Sequence, residues 1–222
     1  MTTVAVIGAS RGIGLELARQ YAAEGCRVHA TTRTLDAPGV LGEIDGDMHL
    51  HSLDVVEDEQ IVALADKLSD EPIDILIHNA GINAGRGAGD KETTAHSMRI
   101  NAEAPIVTVA ALLDSVVAGG DKKVAVMSSV QGAGRARSGS ADLYGDSKRE
   151  LNKRFRVIEP EWRARGITSV ALHPGYVRTD MTGRYASLSP EESVRGIRNV
   201  LAGLTTKDSG RFIDYQGRDV PW

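Results

Sequence analysis

Tyr144 and Lys148 lie four residues apart in a run with helical periodicity. Residues at that spacing share one helix face, so a phenol and an ammonium become neighbours. A free tyrosine titrates near ~10, too high for proton transfer at neutral pH. A nearby ammonium stabilises the phenolate and lowers that value. The pair therefore has the parts of a general acid–base group. Ser129 closes an apolar run upstream and offers a hydroxyl to a substrate oxygen. YxxxK alone is common on solvated helix faces; the serine-ended run before it gives this one weight.

A second set of residues points to phosphate. Gly8-Ala9-Ser10-Arg11-Gly12-Ile13-Gly14 follows an N-terminal apolar run and opens a helical pattern. In this GxxxGxG spacing Gly8 tightens the turn. Gly12 and Gly14 let backbone and helix come close to a pyrophosphate. A helix start adds free N–H groups and a positive dipole end. The same glycines also suit a tight turn with no ligand, and a glycine motif alone is weak. Its place straight after the first strand favours a nucleotide. Arg11 sits inside the turn and Arg33 just past the second strand. Two guanidiniums suit a bidentate clamp on a phosphate; solvated surface arginines are the plainer alternative.

These groups need elements to hold them. Thr3–Ile7, Arg27–Thr32, Met48–Leu53, Ile73–His78, Lys123–Ser128 and Thr168–Leu172 read as strands, several apolar nearly throughout. That pattern fits parallel strands covered on both faces. Helical patterns fill Gly12–Glu24, Glu57–Leu68, Thr93–Ala118, Tyr144–Arg165 and Pro190–Leu204, and Arg211–Asp214 fits a last edge strand. The alternation predicts an α/β fold, a single-domain doubly wound parallel sheet with helices on both faces. Residues 1–222 read as one domain, with no linker and no repeat. The Gly- and Ser-rich loops Ala84–Asp90 and Gln131–Ala141 follow strands, where open α/β sheets bind ligands.

Taken together, these motifs resemble the short-chain dehydrogenase/reductase family. The resemblance rests on GASRGIG at 8–14, Asp54-Val55 after the third strand and His78-Asn79-Ala80-Gly81 after the fourth. It continues with Asn101, Ser128-Ser129, Tyr144 to Lys148, and Pro174-Gly175-Tyr176-Val177-Arg178-Thr179, spanning residues 4 to 181. The compact length and the ending FIDYQGRDVPW resemble the C-factor and sniffer-like carbonyl reductases. The resemblance implies a Rossmann-type fold and hydride transfer between a nicotinamide and a carbonyl or alcohol carbon. It implies Tyr144 as the proton donor or acceptor. Lys148 would lower the tyrosine pKa and hold the nicotinamide ribose. Ser129 would polarise the carbonyl, and Asn101 would hold a water that relays protons. A packed helix-interior asparagine is the alternative for Asn101. Asn79, Ala80 and Gly81 would line the adenine-ribose side, with Asp54 and Val55 at the adenine. Asp54 also fits a helix N-cap, since Glu57 follows three residues later. Pro174, Gly175, Val177 and Thr179 would cover the nicotinamide. The Ser129–Tyr144 spacing exceeds the family's by about two residues, and the excess falls in Arg135–Ser140.

The cofactor expected is NADP(H). NAD sites place an acid ~20 residues past the glycine turn. Here the second strand ends Ala30-Thr31-Thr32-Arg33-Thr34, without one. Asp36 would serve an NAD reading if the strand ran longer. The partners expected are a small carbonyl or alcohol substrate and copies of the same chain, as a homodimer or homotetramer on the helices Thr93–Ala118 and Tyr144–Arg165.

Composition bounds the alternatives. A net charge of −4 argues against nucleic-acid or anionic-membrane partners, which call for a basic face. No stretch approaches ~18 uninterrupted apolar residues. A single cysteine, Cys26, and an N-terminus unlike a secretory leader fit a reducing cytoplasm. No metal site is expected: His49 and His51 share a strand face without further donors. His78 and His173 read as packing groups or as supports of site residues, and Trp162 and Trp222 as packing or interface residues. A rival function is an NADP(H)-binding regulatory or signalling protein with little turnover. A sugar-nucleotide epimerase is disfavoured, because the chain has no room for the extra substrate domain.

Overall fold

The computed structural model describes residues 1–84, 90–134 and 142–222. The remainder of the two loops singled out above, 85–89 and 135–141 with the Arg135–Ser140 excess, lies outside the described residues.

Seven strands form one parallel sheet in the order β3-β2-β1-β4-β5-β6-β7. They are β1 (Thr3–Ile7), β2 (Arg27–Thr32), β3 (Met48–Ser52), β4 (Ile75–His78), β5 (Lys123–Met127), β6 (Thr168–His173) and β7 (Phe212–Asp214). The chain runs outward from β1 to β3, then crosses back to place β4 on the other side of β1. Such a reversal opens a crevice at the carboxyl ends of the two central strands.

The strands are apolar because helices bury both faces. On one side α1 (Gly12–Ala23) and α7 (Pro190–Gly203) bring Leu17, Tyr21, Ile197 and Leu201 against Val4, Val6 and Ala125. On the other, α2 (Asp58–Lys67) brings Ile61 and Leu64. The long α6 (Leu143–Ala164) adds Leu151, Phe155 and Trp162 there. Each fully buried side chain of this size contributes about 1.5–3 kcal/mol. Trp162 meets Phe155 edge-on, and Trp222 stacks on Phe155, so both tryptophans are packing residues. No helix among the described residues is long and apolar enough to cross a membrane.

The single helix expected over Thr93–Ala118 is broken. It comprises α3 (Lys91–Met98), a wide π turn Arg99–Glu103, α4 (Ala104–Ala111) and α5 (Leu113–Ala118). Pro105 explains the first break. It has no N–H for the carbonyl four residues back, that of Asn101, and its ring crowds that carbonyl. The widened turn accommodates it. The second break is at Leu112, whose backbone leaves helical values (φ −94, ψ 5). Apolar periodicity runs through both breaks and hides them.

Asp54 is not the cap of α2. That position is Glu57, while the Asp54 carboxylate accepts the Val56 N–H at 3.2 Å in a local turn. The strand face shared by His49 and His51 also carries a third histidine, His29 from β2. His51 is buried with its Nε2 3.0 Å from Nδ1 of His29, and His49 stacks on His29. Burial pushes His29 and His51 down to about 4, so near pH 7 both rings are neutral and one donates to the other. The partner strand β2 supplies His29, a neighbour that the β3 sequence alone does not reveal.

Candidate active site

A cleft of about 410 Å³ opens over the carboxyl ends of β1, β2 and β4, at the reversal of strand order. Its floor is the glycine turn: Gly8, Ser10, Arg11, Gly12 and Ile13 all line it. Gly8 has φ +84, and a Cβ there would lie 2.7 Å from the Ala80 Cα, so only glycine fits. The Gly8 N–H donates to the Thr31 hydroxyl at 2.8 Å, tying the turn to β2. Arg11 precedes α1 without a side-chain cap, which leaves the first amides of the helix available to an anion.

Gly14 plays a different part from the one expected. It does not line the cleft; a Cβ on it would collide with the Gly8 carbonyl and the Asn79 amide. Its bareness closes the turn on itself. Gly12 faces Thr179, whose Cγ2 would be 3.2 Å from a Cβ there. The cleft is thus narrow between the turn and the segment after β6.

The walls bring together most of the remaining candidates. Arg33, Asp54 and Val55 line the side of β2 and β3, and Asn79, Ala80 and Gly81 line the end of β4. Asn79 donates its amide to the Gly8 carbonyl at 2.8 Å, locking β4 to the turn. Thr179 lines the cleft, but Pro174, Gly175 and Val177 do not. The Pro174 carbonyl accepts the Ser193 hydroxyl, Gly175 packs on Leu188 and Tyr215, and buried Val177 bridges to Leu188. These three hold the segment against α7 and present Thr179.

Ser129, Tyr144 and Lys148 converge from two elements beside this cleft; none of the three lines it, but a Cβ on the lining residue Gly81 would lie 3.5 Å from the Lys148 Nζ. Ser129 stands just past β5 and α6 carries the other two. The Ser129 hydroxyl accepts the Gln131 N–H at 3.2 Å and lies beside the Tyr144 phenol, on whose proton it acts. Lys148 is buried, donates to the Met127 carbonyl at 2.8 Å, and has its ammonium 5.8 Å from the Tyr144 ring centre.

The electrostatics differ from the sequence expectation. Burial pushes the Tyr144 phenol up to about 12, with the Ser129 hydroxyl acting the other way. Burial also pushes Lys148 down to about 8. Desolvation dominates, the Asp142 carboxylate adds to it, and the phenol keeps its proton through neutral pH.

Asn101 is fully buried on the π turn. Its amide exchanges two bonds with the Ile82 backbone, at 2.9 and 2.8 Å, and donates to the Ser147 hydroxyl at 3.0 Å. It is therefore an anchor for the chain after β4. Beside it, a Cβ on Gly81 would lie 3.1 Å from the Asn101 Oδ1 and 3.5 Å from the Lys148 Nζ. Both polar side chains thus stand against the bare face of Gly81.

Sequence reasoning missed several lining residues: Thr31, Leu53, Ile82, Ile100, Asp180 and Met181. Thr31 and Leu53 stand next to strand ends, which is the signal that could have found them. Asp180 reaches across the cleft mouth to Arg11 at 3.3 Å, a contact between residues 169 apart that no spacing announces.

A parallel sheet with a nucleotide-type glycine turn and a Ser–Tyr–Lys cluster defines a class of oxidoreductase. The chain belongs to the short chain dehydrogenase family, whose match spans residues 2–188. The C-signal of Myxococcus xanthus is 39% identical over 164 residues, covering 72% of this chain and 99% of that protein. A carbonyl reductase from Pseudomonas aeruginosa PAO1 in complex with NADP is similar at 31% identity and a TM-score of 0.86, covering 100% of both chains. Carbonyl reductase Sniffer of D. melanogaster, with 24% identity and a TM-score of 0.91 over 100% of both chains, shares the fold.

Proposed function

We infer that the chain is an NADP(H)-dependent reductase of a small-molecule carbonyl, the reverse reaction being alcohol oxidation. The observation that carries this is the meeting of Ser129 and Tyr144 beside Lys148, next to the cleft, whose lining residue Gly81 faces the Lys148 ammonium.

The residues present suit the cofactor. The uncapped start of α1 takes the pyrophosphate. Arg11 and Arg33 both line the cleft and take a 2′-phosphate. Asp54 and Val55 face the adenine, and Asn79, Ala80 and Gly81 its ribose. Thr179 covers the nicotinamide end, backed by Pro174, Gly175 and Val177. When bound, NADPH supplies the hydride. Ser129 then hydrogen-bonds the carbonyl oxygen, and Tyr144 delivers its proton to that oxygen as it becomes an alkoxide. Lys148 keeps its charge below about pH 8 and donates to the nicotinamide ribose. Asn101 and Lys148, both set against Gly81, would hold between them a water that returns protons to the site. A phenol held at about 12 favours reduction at neutral pH, since oxidation starts from the phenolate.

The test is NADPH oxidation across ketones, aldehydes and quinones, with Tyr144→Phe as the control. Phenylalanine keeps the ring but has no proton to give. We expect a ~100- to 10,000-fold loss of turnover, with NADPH binding kept within a few-fold. Near-full activity in this variant would refute the mechanism. The likeness to C-signal favours one rival, a signalling protein that binds NADP(H) with little turnover. Tight NADPH binding with no turnover on any substrate of the panel would support that rival.

A further inference from the structure

Asn152 lies one turn beyond Lys148 and two beyond Tyr144 on α6, and is only 4% exposed. Its Oδ1 accepts the Ser128 hydroxyl at 2.6 Å. Its Nδ2 donates to the Gly132 carbonyl at a longer 3.4 Å. A hydroxyl on one side and a carbonyl on the other admit one orientation of the amide.

Ser128 and Gly132 bracket Ser129. Ser128 follows β5 and is fixed to β6 by its N–H, which donates to the Leu172 carbonyl at 2.8 Å. Gly132 ends the short 3₁₀ turn Val130–Gly132. A Cβ on Gly132 would lie 2.7 Å from the Lys148 carbonyl carbon and 2.9 Å from the Arg149 nitrogen. The turn carrying Ser129 is therefore seated directly on the backbone of α6, beside Lys148. Asn152 bonds to that turn at both of its ends. This buried side chain joins the two halves of the site, the Ser129 turn and the Tyr144 helix. It does so nearer Ser129 than the other polar links from α6, Lys148 to the Met127 carbonyl and Arg149 to the Gly134 carbonyl, which fall on either side of the turn.

We propose that Asn152 is a positioning residue for proton transfer: it clamps the Ser129 turn onto α6 so that Ser129 and Tyr144 meet on one substrate oxygen. This rests on the reading of Ser129 and Tyr144 given above. Asn152 itself bonds only Ser128 and Gly132 among the described residues, so it acts through Ser129. A shift of ~1 Å in a reacting group costs up to ~100-fold in rate.

The experiment is a double-mutant cycle on carbonyl reduction, run well below the unfolding temperature of every variant. Asn152→Leu keeps the volume and removes both bonds. We expect kcat to fall about ten- to hundredfold, with the NADPH Kd unchanged within about twofold. In a Ser129→Ala background the same change should cost no more than about twofold further, because the clamp then has nothing to aim. A merely structural asparagine would lower Tm and leave kcat alone, or would cost the same in both backgrounds; either result overturns the proposal. If Asn152→Leu does not fold, Ser128→Ala removes the same 2.6 Å bond and must show the same loss and the same dependence on Ser129. Its failure to do so overturns the proposal equally. A harmful Ser129→Ala beside a silent Asn152→Leu refutes the positioning role alone. A silent Ser129→Ala refutes the reading of the site and the positioning role with it.

Discussion

At the residue scale, burial acts on Tyr144 and Lys148 in opposite directions. It holds the phenol up at about 12 and the ammonium down at about 8. Near neutral pH both carry their protons, the state that reduction uses. As pH rises, Lys148 is the first to lose its proton. The reduction rate at saturating NADPH should therefore fall with an apparent pKa near 8, well before the phenol titrates. A pH–rate profile flat to pH 10 would contradict this. Lys148→Met should remove the limb together with most of the activity. The same shift has a stability signature. The folded value lies below the ~10.5 of an unfolded lysine, so between about 8 and ~10.5 the unfolded chain binds more protons. Stability contributed by this group must rise with pH across that window. Denaturant midpoints of the wild type should climb from pH 8 to 10 relative to those of Lys148→Met.

At the element scale, the cleft is closed by two pieces of chain from opposite ends of the sequence. The glycine turn carries Arg11, and the segment after β6 carries Asp180, paired at 3.3 Å with both side chains mostly exposed. Exposed pairs of this kind hold weakly and yield to a better partner. A 2′-phosphate is such a partner for a guanidinium. Asp180→Asn should therefore raise NADPH affinity about two- to fivefold and leave NADH affinity unchanged. Arg33→Asp should shift the preference toward NADH, since it replaces a phosphate donor by an acceptor for the ribose hydroxyl. Fluorescence titration with both cofactors measures these effects. Wild-type binding of NADH as tight as that of NADPH would refute the NADP reading altogether.

At the scale of the whole molecule, the outer faces of α4 and α6 are open. Val107 is 38% exposed and Val157 is 76% exposed. Of the charges nearby, Arg154 lies between Glu150 and Glu103, and Arg156 lies over the Trp222 ring. A face with exposed apolar side chains suits a second copy of the chain. We expect a homodimer or homotetramer in sedimentation at micromolar concentration, and Val157→Glu should weaken it. A strictly monomeric wild type would refute this interface.

Much of this molecule is written locally in the chain. In the strand Lys123–Met127 the run 124–127 announces two-sided burial, because a strand covered on both faces carries few polar side chains. The GxxxGxG turn and the Tyr144–Lys148 spacing are legible because their geometry spans one helical turn or one bend. Alternation of strands and helices then leaves few topologies. What the sequence hid was contact between residues far apart. Pro105 broke a helix that periodicity drew whole, since burial pattern records which face is inward and says nothing of hydrogen bonding along the backbone. Asn101 turned inward on that break to bond Ile82. His29 met His51 only because β2 and β3 are neighbours. Gly14 faced Gly8 and Asn79 instead of the cleft. The phenol rose to about 12 because desolvation depends on everything packed around it, and spacing reports only the lysine. Sequence determines which groups are present and how each segment lies. The tertiary structure decides which groups touch and how dry they are, because contacts and solvation depend on packing between distant segments.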